Sequence, residues 1–328
     1  MKSKISVIMP VYNRGDMIGE SIESVISQTY HNWEIVIVDS ESTDNTPEVC
    51  RYYTEKDSRI KYIKKSNEGV SASRNCAIDN AEGDYLFFLD SDDIIHKRLF
   101  EVLLDAMEKS GANIGGSSVR FVKQANWHKL NAYLEKNTEQ GETRHLSFEE
   151  TLEAVFTGTS PINLIGGVMI SRKLIGNTRF NTSLHIGEDF YFMYENLFKG
   201  TDAVFLNEKW YFGRLHGSNL SGDYSFEGFW SRFHRRELVW QSEETMGRTK
   251  YVNLQKLDGL NVYKAYLIRN NHKTPDGKKI RRTMKDYRKV IYPVLSFKEK
   301  VNFNLSVYAP AFYKFIFKVT SKIKRGRK

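Results

Sequence analysis

The chain has 328 residues, 40% hydrophobic and 27% charged, with a formal charge of +9; this is globular composition and excludes a disordered chain. Two cysteines, Cys50 and Cys76, exclude a disulfide framework and a four-thiolate zinc site, leaving a reduced, cytoplasmic setting as the expectation. No run approaches the ~20 apolar residues that span a bilayer. The apolar run behind Met1-Lys2-Ser3-Lys4 is broken at Pro10 and has no small-residue cleavage site, so it reads as a first strand, not a leader. The charge is uneven. From Lys273 onward 17 Lys and Arg face three acids, a net of +14, whereas the first 272 residues carry 32 basic and 37 acidic residues. The basicity belongs to the tail, and nucleic acid is not the expected partner.

Apolar runs of strand length occupy residues 5–11, 34–38, 60–63 and 85–89, with a further strand near 113–122. Helix-period segments lie between them at 17–28, 47–53, 71–81 and 97–109; the second is opened by Thr43-Asp44 and Pro47. This alternation predicts an α/β fold with a mostly parallel sheet covered by helices. Residues 123–147 are polar and read as a loop or inserted hairpin, 148–156 as a helix and 166–171 as a strand. Ile186-Gly187-Glu188-Asp189 opens a helix running to about 198, and 203–206 is a further strand. After Gly222 the pattern is helical and basic.

In a parallel sheet, ligands bind beyond the carboxyl ends of the strands. Three polar clusters sit there: Pro10-Val11-Tyr12-Asn13, Asp39-Ser40-Glu41-Ser42-Thr43-Asp44 and Asp90-Ser91-Asp92-Asp93. Three carboxylates within four residues repel one another unless a cation or hydrogen bonds compensate, and oxygen ligands suit Mg²⁺ or Mn²⁺. The alternative is a helix N-cap by Asp92 or Asp93 before Ile94; the strand ahead of the cluster favours the metal reading. Arg74, in the first turn after Gly69, is placed to neutralise a diphosphate, or to form a surface salt bridge.

Taken in order, these pieces resemble the family-two inverting glycosyltransferases of the GT-A nucleotide-sugar fold. The resemblance covers roughly residues 3–222. It rests on Val7-Ile8-Met9-Pro10-Val11-Tyr12-Asn13, Gln28-Thr29, Ile37 to Asp44, Asn67-Glu68-Gly69 with Ser73-Arg74-Asn75, the Leu89-Asp90-Ser91-Asp92-Asp93 Asp-x-Asp motif, and Gly187-Glu188-Asp189. It implies a nucleotide-sugar-binding half at 1–115, an acceptor-binding half at 116–222 and a basic helical extension at 223–328.

Among individual residues, the resemblance implies a nucleotide pocket lined by Pro10, Val11, Tyr12 and Asn13, with Asp39 at the base or ribose. Gly69, Arg74, Asp90, Ser91 and Glu188 join the nucleotide-sugar site, Asp92 and Asp93 the metal site, and Asp189 matches the catalytic base. Arg214-Leu215-His216-Gly217-Ser218-Asn219-Leu220-Ser221 looks like the late segment that closes over the diphosphate, with His216 at the metal. Many relatives carry two adjacent acids, or Asp-Asn, and then glycine where this chain has Asp39-Ser40-Glu41, a departure at the position associated with uracil; a UDP-sugar remains the expected donor.

The implied reaction is a single displacement at the anomeric carbon. A divalent ion would stabilise the departing diphosphate, and Asp189 would take the acceptor proton. Taken alone, Glu188-Asp189 reads as acids complementing a helix dipole. Residues 311–328 place Phe312, Phe315, Ile316, Val319 and Ile323 at helical spacing beside Lys314, Lys318 and Lys322. That helix suits an anionic membrane surface, or else packs on the enzyme with a solvated charge stripe. A glycan or lipid-linked acceptor in surface polysaccharide biosynthesis, met peripherally at the inner face of the cell membrane, follows as the expectation. Two alternatives compete. A sugar nucleotidyltransferase would want a Gly-rich phosphate loop where Pro10 to Asn13 stand, and a cationic membrane or nucleic-acid adaptor would not need acids at three strand ends.

Overall fold

The structure is a computed structural model, and it describes residues 2–130, 142–157, 165–197, 199–216, 225–270 and 272–325. The chain divides into two compact units, Met1–Thr182 with Glu188–Asn219, and Ser183–Gly187 with Leu220–Lys328.

The first unit is a mixed α/β layer structure. Its strands are β1 Ile5–Val11, β2 Trp33–Ser40, β3 Ile60–Lys65, β4 Tyr85–Phe88, β5 Ile94–Ile95, β6 Ile114–Lys123, β7 Thr143–Leu146, β8 Val168–Ser171 and β9 Ala203–Leu215. Its helices are α1 Ile18–Ile26, α2 Thr46–Lys56, α3 Val70–Asn80, α4 Leu99–Ser110, α5 Phe148–Thr157 and α6 Glu188–Leu197. The described strands form one sheet in the order β3-β2-β1-β4-β8-β6-β9-β5, with β7 on β9. Strands β1 to β4 pair in parallel, as the alternating pattern predicts. Every residue of β1 and β2 is buried, because helices cover both faces and leave no polar side to the pattern. Ile5, Val7, Met9 and Val11 alternate onto one face and join Ile18 and Ile22 of α1 and Leu99 and Leu103 of α4 in a single core.

At the far edge of this parallel half, Glu34 is buried at the start of β2. Its carboxylate accepts hydrogen bonds from Ser6 Oγ (2.6 Å) and the Glu82 N–H (2.6 Å) and pairs with Lys4 and Lys61 (3.0 Å each). Burial pushes its pKa up, and these donors outweigh burial to bring it down to about 2.

The second half of the sheet keeps one parallel pair, β6 with β9, and adds antiparallel strands to it. Strand β8 runs antiparallel to both β4 and β6, and β5 and β7 run antiparallel to β9, so the complete sheet is mixed. Strand β9 also continues to Leu215, well beyond the expected 203–206. The polar Asn207-Glu208-Lys209 interrupts its apolar pattern, yet the ladder with β6 resumes past a register shift between Ser117 and Val119. Within the polar stretch read as a loop or hairpin, 131–141 lie outside the described residues, and β7 occupies 143–146.

The second unit is helical, as the pattern after 222 predicts. It contains α7 Phe226–Thr245, α8 Thr249–Arg269, α9 Pro275–Asp286, α10 Phe297–Tyr308 and α11 Pro310–Arg325. Phe229, Phe233, Trp240, Leu260, Tyr263, Phe303 and Val307 form its core. The ends are marked by local chemistry: Ser225 and Thr274 cap α7 and α9, and Ser296 with Glu299 closes a reciprocal capping box on α10. No helix among the described residues is long and apolar enough to cross a membrane.

Candidate active site

The exits of β1 and β2 are laced together. Asn13 adopts a left-handed backbone (φ 51°); its N–H donates to Ser42 Oγ at 2.8 Å, and its Oδ1 accepts from the Thr43 N–H at 2.8 Å. Pro10 and Val11 are buried in β1, and Tyr12 is exposed at its end. Asp39, the last acid of β2, is fully buried. Its Oδ2 accepts from the Tyr62 hydroxyl at 2.7 Å and its Oδ1 from the Ser42 N–H at 2.9 Å. Ser40, at the departure from the family pattern, shares a 2.6 Å hydrogen bond with Ser73 of α3. Glu41 follows in a left-handed conformation (φ 56°), the geometry a glycine adopts without strain.

Gly69 opens α3 at φ 89° with no atom within 4 Å of a would-be Cβ, so conformation rather than space calls for glycine. One turn further, Arg74 is almost completely buried. Its Nη2 lies 2.9 Å from Asp90 Oδ1 and its Nη1 2.8 Å from Glu188 Oε1. Burial disfavours its charge, but Asp90, Glu188 and Asp189 more than compensate and raise its pKa further. The structure therefore ties α3, the exit of β4 and the start of α6 together through one guanidinium.

The acidic cluster divides in two directions. Asp92 Oδ2 receives Arg14 Nε at 3.2 Å and lies 2.8 Å from His216 Nε2. Asp93 turns inward, its Oδ2 accepting from the Tyr211 hydroxyl at 2.6 Å and its Oδ1 from the Arg214 N–H at 2.8 Å. Burial, then the neighbouring Asp90 and Asp92, hold the Asp93 carboxyl well above the usual range, against the pull of those two donors. Ser91, between them, is buried. At the start of α6, Glu188 is buried and Asp189 half-buried, its Oδ1 accepting from the Phe190 N–H at 2.7 Å.

Several partnerships of this arrangement carried no signal in the sequence. Arg14 stands one position past the expected pocket residues. Tyr211 sits inside β9, where it supports Asp93 and receives the Asp90 N–H at 3.3 Å. Arg214 turns its guanidinium to Glu20 at 2.7 Å and stacks 3.9 Å from the Trp127 ring. Positions 217–221 of the late segment lie outside the described residues. Trp127 and Trp210 are buried, which agrees with a packing role rather than an open sugar platform.

The donor set can be tested for a divalent ion. Among the described residues no group of three or more His, Cys, Asp and Glu side chains could hold a metal ion by itself. Asp92 and His216 nevertheless converge on one point from separate elements. That pair fits Mg²⁺ or Mn²⁺ when substrate phosphates and water complete the shell, the usual arrangement for phosphate-bound ions.

A parallel half with acids at its strand exits, extended by mixed strands that bring His216 back to Asp92, has the layout of the GT-A fold. The profile of glycosyl transferase family 2 matches residues 6–178, and the chain belongs to that family. It is 31% identical over 219 residues to the glycosyltransferase GlyA of Streptococcus pneumoniae serotype 4, a match covering 66% of this chain and 31% of GlyA. It is 33% identical over 190 residues to the minor teichoic acid biosynthesis protein GgaB of Bacillus subtilis, covering 56% of this chain and 20% of GgaB. The matches thus span a third or less of the length of these two relatives.

Among solved structures, S. aureus TarS 1-349 in complex with UDP-GlcNAc has a TM-score of 0.71 at 17% identity, over 95% of this chain and 89% of that one. The mannosyltransferase PcManGT from Pyrobaculum calidifontis, in complex with GDP-Man and Mn²⁺, has a TM-score of 0.55 at 14% identity, over 96% and 88%. At these identities the likeness is one of fold.

Proposed function

We propose that the chain is a metal-dependent inverting glycosyltransferase that moves a sugar from a UDP-sugar to a hydroxyl of a glycan or lipid-linked acceptor in surface polysaccharide biosynthesis. The observation that carries this reading is the convergence of Asp92 with His216, and of Asp90 with Glu188-Asp189 through Arg74, at the exits of the parallel strands. Residues 1–115 serve the nucleotide-sugar and 116–222 the acceptor. The UDP-GlcNAc held by the TarS structure supports the donor class. The teichoic acid role of GgaB supports the acceptor class.

In this reading Pro10, Val11, Tyr12 and Asn13 border the base and ribose, and Asp39, fully buried with its oxygens held by Tyr62 and Ser42, braces the exit of β2 beside them. Gly69, Asp90 and Ser91 complete the donor side. Asp92 and His216 would hold Mn²⁺ or Mg²⁺, which supplies Lewis-acid stabilisation to a leaving diphosphate. Asp93 stays outside that shell, because Tyr211 and the Arg214 N–H occupy both of its oxygens. The acceptor oxygen bonds to the anomeric carbon as that carbon's bond to the diphosphate oxygen breaks. The hydroxyl proton passes to Asp189, the nucleoside diphosphate departs, and one displacement inverts the centre.

The helical unit supports a peripheral position at the cytoplasmic face of a membrane. Phe297 is 84% exposed, Phe315 63% and Phe312 54%, on helices that bury Phe303, Val307 and Tyr313. Aromatic tips set in a strongly basic segment suit an anionic lipid surface.

Calorimetric titration with UDP, GDP, dTDP and CDP, with and without Mn²⁺, tests the reading. Metal-dependent binding of UDP alone is the expected result. Preference for another nucleotide would revise the donor, and no binding by any of the four would overturn the enzyme.

A further inference from the structure

The pairing of Arg74 is at odds with a diphosphate ligand. Both terminal nitrogens already face carboxylates, the partly exposed Asp90 at 2.9 Å and the buried Glu188 at 2.8 Å, and the guanidinium itself is buried. Turning the guanidinium toward a phosphate would strip two acids of their cation, one of them, Glu188, buried.

The surroundings explain what the side chain does instead. The Arg74 guanidinium lies 5.3 Å from the ring of Phe180. That ring stacks on Phe192 of α6 at 4.0 Å and meets Phe88 of β4 edge-on at 5.8 Å. Asn75, the next residue of α3, grips the backbone of Phe180 in both directions: its Nδ2 donates to the carbonyl at 2.9 Å, and its Oδ1 accepts from the N–H at 2.7 Å. An aromatic pile and a bidentate amide thus fix α3, β4 and α6 to one another. Arg74 is the charged member of the set, and its two arms end on the residue that opens the acidic cluster and the residue that precedes Asp189.

We propose that Arg74 is a positioning residue: it holds the Glu188-Asp189 start of α6 in register with Asp90, setting the distance between the donor rim and the base rather than binding the donor. The proposal rests on the glycosyl-transfer reading for the role of Asp189, and on the geometry alone for the tie itself. Arginine suits the task because its fork reaches two carboxylates in fixed directions, which a lysine ammonium cannot do.

The test compares Arg74→Gln, Arg74→Lys and Glu188→Gln with the unmodified chain by UDP calorimetry in Mn²⁺, steady-state transfer and backbone amide exchange. For Arg74→Gln we expect UDP affinity within about threefold of wild type. We expect kcat to fall about a hundredfold, the scale of an ångström's misplacement. Exchange at 188–192 should quicken about tenfold as the helix start loosens. Arg74→Lys, which keeps the charge and one arm, should recover part of kcat. Glu188→Gln should loosen the same amides, and the double variant should add little to either single change.

A tenfold loss of UDP affinity with kcat preserved would make Arg74 a donor ligand and overturn the proposal. So would unchanged exchange at 188–192. Should Arg74→Gln not fold, Arg74→Lys and Glu188→Gln read the same tie from its two ends. If the unmodified chain transfers no sugar while the variants still loosen 188–192, the glycosyl reading falls and the positioning role stands.

Discussion

Asp92 and His216, 124 positions apart, meet with Nε2 2.8 Å from Oδ2, and Arg14 reaches the same oxygen at 3.2 Å. One carboxylate oxygen is thus shared by a strand exit, the end of β9 and the first loop.

Metal dependence is expected to run through that oxygen. Asp92→Ala and His216→Ala should each weaken UDP binding about tenfold or more in Mn²⁺, the usual cost of losing a ligand-shell partner, and should match wild type in EDTA. Titration calorimetry under both conditions checks this. Equal metal-dependent affinity in variant and wild type would remove the pair from the site.

Asp189→Asn should keep UDP affinity and lower transfer about a thousandfold, the scale attributed to a positioned general base. Turnover with a true acceptor decides it; unchanged turnover would exclude Asp189 from the proton step.

Glu34 makes stability depend on acid. Its folded pKa, about 2, lies below its ordinary value of 4.5, so its contribution is complete above pH 4.5 and lost as pH falls toward 2. The shift corresponds to about 3 kcal/mol, and Glu34→Gln should reduce the stability difference between neutral and acid solution by about that amount. Denaturant midpoints from pH 7 to pH 2.5 measure it, and parallel curves for variant and wild type would contradict the assignment.

Glu41 sits at φ 56°, a backbone conformation that glycine adopts without strain. Relief of left-handed strain, less the entropy of a freer unfolded chain, gives Glu41→Gly a gain of about 0.5 kcal/mol. A denaturant midpoint that falls instead would show that the contact of Glu41 Oε2 with the Asn67 N–H, at 3.3 Å, outweighs the strain.

For the helical unit, Phe312→Ser with Phe315→Ser should weaken flotation with anionic liposomes about tenfold and leave UDP binding unchanged, since both rings face outward. Binding should also fall as salt rises. Undiminished flotation of the double variant would place any lipid contact elsewhere.

The parallel half was legible because strands buried on both faces write themselves as unbroken apolar runs, as at Ile5–Val11 and Trp33–Ser40. Strand β9 was legible only at its start: Asn207, Glu208 and Lys209 break the run, and the pairing that carries the strand past them belongs to β6. The site residues stood out as motifs, but their partnerships did not. Arg74 with Glu188 spans 114 positions and Arg214 with Glu20 spans 194, and no local spacing announces either. The charge of Arg74 is visible in the sequence and suits a phosphate or a surface salt bridge, whereas the two carboxylates facing it are brought there only by the sheet.

Strand β9 is held at one end by β7, along its length by β6 and near its far end by β5, and His216 follows its last residue. It therefore acts as a ruler. A single residue removed between Phe212 and Leu215 would draw the imidazole back by about 3.3 Å and turn it to the opposite face of the sheet. Insertions and deletions are expected to be refused within β9, so among functional descendants of this chain that strand should keep its length even where its side chains drift.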